Sequence, residues 1–342
     1  MAVISGQIYR TFDPIVNPNI PSDDIVPDKQ AISTGLWSNG VGTLLDLFLD
    51  PVQSASSGVY YLNVLNNPTS SVSSEVQFAI AYGHRLGSGS LILNQQYPTK
   101  AIYSQYKNVL LDPGDTYFTI NGVNKDHIIV INIQRARVKE KIDPGNWQLN
   151  ISSSKDTKIY SFIDDSGQTT SPTSGKAGRV FNILSGSIAA GSCSGATAIG
   201  LAYPDMGLLI FNPDVLSSSY GVVCNNSASD TAIGNHEAFF YGLRRAASSS
   251  FGFIARNEEE VSSTHYFVRV KNREFNFSNN PTFISGTYGD FWNQDMIKNP
   301  TVYITTVGLY NNSNELLAVA KLSQPLKKTF NRETIVRVKL DY

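Results

Sequence analysis

The sequence predicts a mainly β protein, with β-sandwich-like sheets and a few short α-helices; an α+β arrangement is the alternative. Three observations point there. Several apolar runs, "THYFVRVKN" and "TIVRVKLDY" among them, alternate with period two rather than with the 3.6-residue period of a helix. The most regular apolar segment, "VYITTVGLYNNSNELLAVAKLSQPLKKTF" at residues 302–330, reads as strand, turn, strand and exit loop. Only three segments, near residues 74–87, 99–111 and 234–247, read as helices.

Taken in order, residues 1–58 are expected to form an extended N-terminal arm. "FDPIVNPNIPSDDIVPDKQ" holds four prolines, each fixing φ and removing a backbone donor. Such an arm lies either across a neighbouring subunit or on its own domain. Residues 59–163 are expected to form a β-rich domain with two helices. "GVYYLNVLN" opens it as a strand. "SEVQFAIAYGHRLG" reads as a helix, with Ser74 and Gln77 as a capping box, an apolar stripe of Val76, Ala79, Ile80 and Gly83, and Gly87 as its stop. "TKAIYSQYKNVLL" is a second helix ended by "DPG". "DHIIVINIQRARVKEKI" reads as one long strand, and its apolar residues on both faces predict a central buried strand.

"DDSGQTTSPTSGKAG", residues 164–178, is expected as a linker because it carries almost no large apolar side chain. Residues 179–342 then form a β-rich C-terminal domain. Within it "IGLAYPDMGLLIFNPDVL" reads as two short strands around a Pro-Asp turn, and "GNHEAFFYGLRRAA" as a helix. "TIVRVKLDY" places Val336, Val338, Leu340 and Tyr342 on one face of the last strand.

Composition narrows the function. Charged residues make up 16% and the formal net charge is −1, which argues against an electrostatic nucleic-acid binder. The longest basic run is Lys327-Lys328. A surface of Ser, Thr and Asn costs less to bury than one of charges, which suits assembly. No apolar stretch approaches the roughly 20 residues that cross a bilayer, and "MAVISGQIYRTFDP" has no signal-peptide pattern, so a cytosolic site of assembly is expected. Cys193 and Cys224 form no CxxC and are expected as packed thiols.

The search for chemistry yields no catalytic, cofactor-binding or metal-binding residue, and no enzyme activity is expected. His84, His127, His236 and His265 are scattered. His236-Glu237 begins like a zincin helix, but Phe240 stands where the second ligand would be, so His236 is expected on a helix surface or satisfied locally. "GHRLGSGS" lacks the Gly-Lys-Ser/Thr of a phosphate loop. Asp164 heads a segment without the further ligands of a calcium loop. "RNEEE", residues 256–260, is expected as a solvated loop with no visible basic partner.

Residues Val307, Gly308, Leu309 and Tyr310, followed by Leu316, Leu317, Ala318, Val319 and Ala320, resemble a hairpin of phage tail-fibre and baseplate proteins. "THYFVRVKNREFNFSNNPTF", "YGHRLGSGS", "PTKAIYSQYKNVLL" and "DPGNWQL" are similar to segments of virion structural proteins of contractile-tailed phages, especially those infecting cyanobacteria. The chain lacks the repeats and the tip of a simple tail fibre. The resemblance therefore implies a tail or baseplate subunit, assembled in the host cytoplasm and found in the virion. Its partners would be neighbouring copies and other structural proteins, with no nucleic acid and no membrane. A receptor- or carbohydrate-binding tail protein and a head decoration protein are the alternatives; a particle-borne enzyme is a further rival.

Overall fold

A computed structural model describes residues 3–4, 7–8, 25–51, 53, 59–88, 98–154, 158–168, 172–193, 197–222, 234–277, 288, 290–292, 294–311 and 313–341. The chain divides into two compact units: residues 31–260, and residues 1–30 together with 261–342. The fold is mostly β, with antiparallel pairing throughout the large sheet and between residues 263–270 and 334–341 and residues 301–310 and 316–329. Helices α1 (Pro98–Leu110), α2 (Arg135–Val138), α3 (Pro213–Tyr220) and α4 (Asn235–Ser249) belong to the larger unit, and α5 (Asp295–Lys298) to the smaller.

The larger unit is built on a thirteen-stranded sheet. In its interior lies the strand His127–Ile133, flanked by Val76–His84 and Leu208–Phe211. Helix α2 ends it at Ile133, short of the expected residue 142. Both faces of this strand are buried, so each must be covered. Ile129, Ile131 and Ile133 enter one core with Phe78, Ile80, Trp147, Phe239 and Leu243. Ile128 and Val130 enter another with Tyr103, Tyr106, Phe118 and Ile210. Helix α4 serves the first core and α1 the second.

Residues 74–87, expected as a helix, form the strand Val76–His84 instead. The reason lies in side-chain size. Large Phe78, Ile80 and Tyr82 alternate with small Ala79, Ala81 and Gly83, a period of two that a count of helix formers conceals. The small side faces α1. A Cβ on Gly83 would stand 2.8 Å from the Tyr103 backbone nitrogen, so helix and strand touch because this residue is glycine. The supposed capping pair has other duties. Ser74 donates to the Asn67 carbonyl at 3.0 Å, and Gln77 Nε2 donates to Ser38 Oγ at 2.7 Å. The opposite core has the same device: a Cβ on Gly242 of α4 would stand 2.8 Å from Ile151.

Residues 212–216, expected to end the second of two strands, open helix α3 instead; only eight residues carry it, yet its ends are well marked. Asn212 caps it by accepting from the Asp214 N–H at 3.1 Å, Pro213 follows, and Gly221 closes it at φ 66°.

Two domain boundaries need correction. Residues 36–49 are core rather than arm: Leu36, Trp37, Leu44 and Leu47 are buried, and the Trp37 indole donates to the Phe253 carbonyl at 3.1 Å. Ile25–Gly35 is a strand, and residues 9–24 of the expected arm lie outside the described residues. The expected linker 164–178 belongs to the sheet. Asp164, closing the strand Ile159–Asp164, accepts from the Gly145 and Ser166 N–H groups, both at 3.0 Å. Asp165 accepts from the Asn182 backbone and side chain at 2.9 Å each, and Thr173–Gly175 pairs with Gly178–Ser187. Buried carboxylates anchor this segment where apolar side chains are lacking.

The smaller unit is a two-layer arrangement. Residues 263–270 pair with Thr334–Asp341, and Thr301–Tyr310 pairs with Leu316–Thr329. Val336 and Val338 meet Val307, Leu309 and Ala320 between the layers, as the alternation of the last strand predicts.

Gly83→Ala is expected to push α1 off the sheet and to cost about 2 kcal/mol, the usual scale for overpacking a close contact. Urea unfolding of the full chain measures this.

Candidate functional site

The histidines separate into different environments. His236 was expected at a helix surface, but it is fully buried in α4, because it shares the inner face with Phe239, Phe240 and Leu243 at helical spacing. Neither ring nitrogen has a hydrogen-bond partner among the described residues. Glu237 Oε1 stands 3.8 Å away, and the Tyr60 ring is inclined to it at 6.0 Å between centroids. Burial lowers its pKa to about 4.

His84 and His127, 43 positions apart in sequence, are brought together by strand pairing, with ring centroids 5.9 Å apart. Both are buried. His127 is held at both nitrogens: Nε2 lies 2.7 Å from Asp214 Oδ1, and Nδ1 is hydrogen-bonded with the Tyr82 hydroxyl at 3.2 Å. Lys125 donates to the other Asp214 oxygen at 3.3 Å. Burial alone would raise the Asp214 carboxyl, but the hydrogen bond and charge of His127, then those of Lys125, hold it below its usual value. Sequence reading missed this cluster because only the register of two strands brings the histidines together. The arrangement ties α3 to the sheet.

The acid run 256–260 is the start of the strand Arg256–Val270, not a solvated loop. Its basic partners lie within the chain. Glu258 pairs with Lys141 at 3.2 Å and Glu259 pairs with Lys139. Of the Lys327-Lys328 pair, Lys328 is buried. Its ammonium donates to the Asn272 carbonyl and to Asn276 Oδ1, each at 3.0 Å. Cys193 is a half-buried free thiol that donates to the Asp164 carbonyl, and burial raises its pKa. Cys224 lies outside the described residues. Among the described residues no group of three His, Cys, Asp or Glu is placed to hold a metal. No helix among them is long and apolar enough to cross a membrane.

The strongest surface feature is the C-terminal hairpin. Its turn is set by Asn311 Oδ1, which accepts from the Ser313 and Glu315 N–H groups at 3.0 and 2.8 Å, and by Asn314 at φ 64°. Register breaks shape the returning strand. Leu309 opposes Ala318 and Tyr310 opposes Leu316, so Leu317 is the extra residue of a bulge, 67% exposed. Val319 faces Gly308, which has no side chain to shield it, and is 57% exposed. A larger bulge spans Leu322–Pro325, where Ile304 pairs with Leu326 and Thr306 with Lys321. Lys321, Pro325 and Lys327 guard that half of the strand against further pairing. The half from Leu316 to Ala320 has no such guard, and among the described residues Leu316–Thr329 pairs with Thr301–Tyr310 alone.

Comparison with family models, with curated proteins and with solved structures finds no match.

The buried His236 has a consequence for pH. Its folded pKa lies below the ordinary 6.5, so the unfolded chain binds the proton more readily between pH 6.5 and 4. The stability tied to the neutral ring is complete above 6.5 and falls as pH drops through that window, by about 2 kcal/mol at pH 5. Urea midpoints at pH 7.5 and 5 should differ accordingly, and His236→Phe should reduce the difference.

Proposed function

We propose that the chain is a structural subunit of a phage virion, a tail or baseplate component that docks on neighbouring proteins through its C-terminal hairpin. The observation that carries the docking is the unguarded half-strand Leu316–Ala320, with Leu316, Leu317 and Val319 exposed beside a backbone edge that no strand pairs among the described residues. An apolar edge of this kind is a template for strand addition, in which main-chain hydrogen bonds supply affinity and side chains supply register. The choice of particle rests on the resemblance of this hairpin and the other quoted segments to contractile-tail proteins. The low charge content fits the same reading, because the surface is cheap to desolvate over a large interface.

Gold-labelled antibody against the chain, viewed by electron microscopy on purified particles, tests the reading. Label at the distal end of the tail is expected. Label over the head would replace the baseplate reading with decoration, and particles without label would refute a virion role.

A further inference from the structure

The larger unit holds a cleft of about 640 Å³ whose lining no assembly role requires. That volume falls within the range of small-molecule sites. The cleft opens between the end of α1, the hairpin of Phe118–Ile120 and Val123–Lys125, and the strands Thr173–Gly175 and Gly178–Ser187. Its floor is apolar, made by Leu110, Val180, Leu184 and Leu201, with Tyr203 among them.

Tyr203 carries the argument. It is 2% exposed and lines the cleft, yet its hydroxyl has no hydrogen-bond partner among the described residues. Burial raises its pKa, with no neighbouring donor or charge contributing. The hydroxyl is not among the fully buried atoms that lack a partner, so its oxygen still reaches solvent while the ring is enclosed. The place for a partner is the cleft itself. A second polar group is also set in advance. Asp165 accepts from the backbone and side-chain nitrogens of Asn182, which fixes the amide at the cleft wall. Tyr117 stands nearby, with the Arg85 guanidinium 4.7 Å from its ring centroid.

Charge selects the ligand class. The lining has three carboxylates, Asp112, Asp115 and Asp165, and one cation, Lys176, whose ammonium is engaged by the Asn108 carbonyl at 2.9 Å. Three negative and one positive leave a formal −2, which repels phosphates and carboxylates. A wholly apolar ligand would offer nothing to the Tyr203 hydroxyl or to the exposed carboxylates of Asp112 and Asp115. A sugar fits both requirements: its hydroxyls donate to carboxylates and accept from Tyr203 and Asn182, while its C–H faces rest on the aliphatic floor. We propose that this cleft binds a neutral carbohydrate, with the Tyr203 hydroxyl as the hydrogen-bond donor at its floor and Asp115 at its rim. This site is independent of the hairpin and of the particle to which the chain belongs.

Saturation-transfer NMR on the full chain tests it, with glucose, galactose, N-acetylglucosamine, maltose and cellobiose as probes at about 10 mM, above the Kd of even a weak site. Spermidine and inorganic phosphate serve as charged probes. At least one neutral sugar should receive saturation. Tyr203→Phe, which removes one oxygen, should weaken its binding about tenfold, the equivalent of one lost hydrogen bond. Asp115→Ala, an exposed position that cannot unfold the core, should weaken it several-fold and carries the test if Tyr203→Phe destabilises the chain. The proposal is overturned by transfer from no sugar, by binding of spermidine or phosphate alone, or by sugar binding that both variants leave intact.

Discussion

The strand His127–Ile133 imposes the constraint from which the larger unit follows. A strand buried on both faces in the interior of an antiparallel sheet leaves neither side for solvent, so each needs its own cover. On one side of the sheet α4 packs against the strand Gln148–Ser152, and on the other α1 packs against Val76–His84, and each approaches through a glycine, Gly242 in the first case and Gly83 in the second. Small residues at those contacts let large ones, Phe78 and Tyr82 on one side and Tyr103 and Phe118 on the other, fill the remaining volume.

The same constraint governs the polar groups. Where the chain buries a carboxylate or an imidazole it supplies partners: Asp164 and Asp165 take backbone N–H groups, His127 is held at both nitrogens, and Lys139 and Lys141 meet the acid run. His236 departs from this rule, and the Tyr203 hydroxyl, which no protein group engages among the described residues, is a different case. His236 is enclosed by side chains, so its unmet nitrogens appear as a pH liability. Tyr203 borders open volume, so its unmet hydroxyl reads as a contact awaiting a ligand.

Much of the β architecture was legible because local pattern and tertiary role coincide. His127–Ile133, α1, α4 and Thr334–Asp341 each show in sequence the period that the structure uses. The failures share one cause. In Val76–His84 alanine and glycine mark a close helix contact, and as helix formers and stops they misled the reading of that segment. Residues 164–178 looked like a linker because their attachment is through carboxylate hydrogen bonds, which carry no periodic signal. The His84–His127 cluster and the Tyr203 cleft depend on strand register and on elements distant in sequence, so no local window contains them. The hairpin at 302–330 was readable as a hairpin, but not its bulges, which decide that Leu317 and Val319 face outward.

The central functional claim is that this outward apolar half-strand joins the chain to its neighbours. Its most direct test replaces the wild-type chain in assembling particles with the Leu317→Lys, Val319→Lys double variant and measures how much enters purified particles. Both positions are exposed, so the variant should remain folded, with an unchanged circular dichroism spectrum. The account predicts a folded variant that is absent from particles. Incorporation at the wild-type level would contradict it.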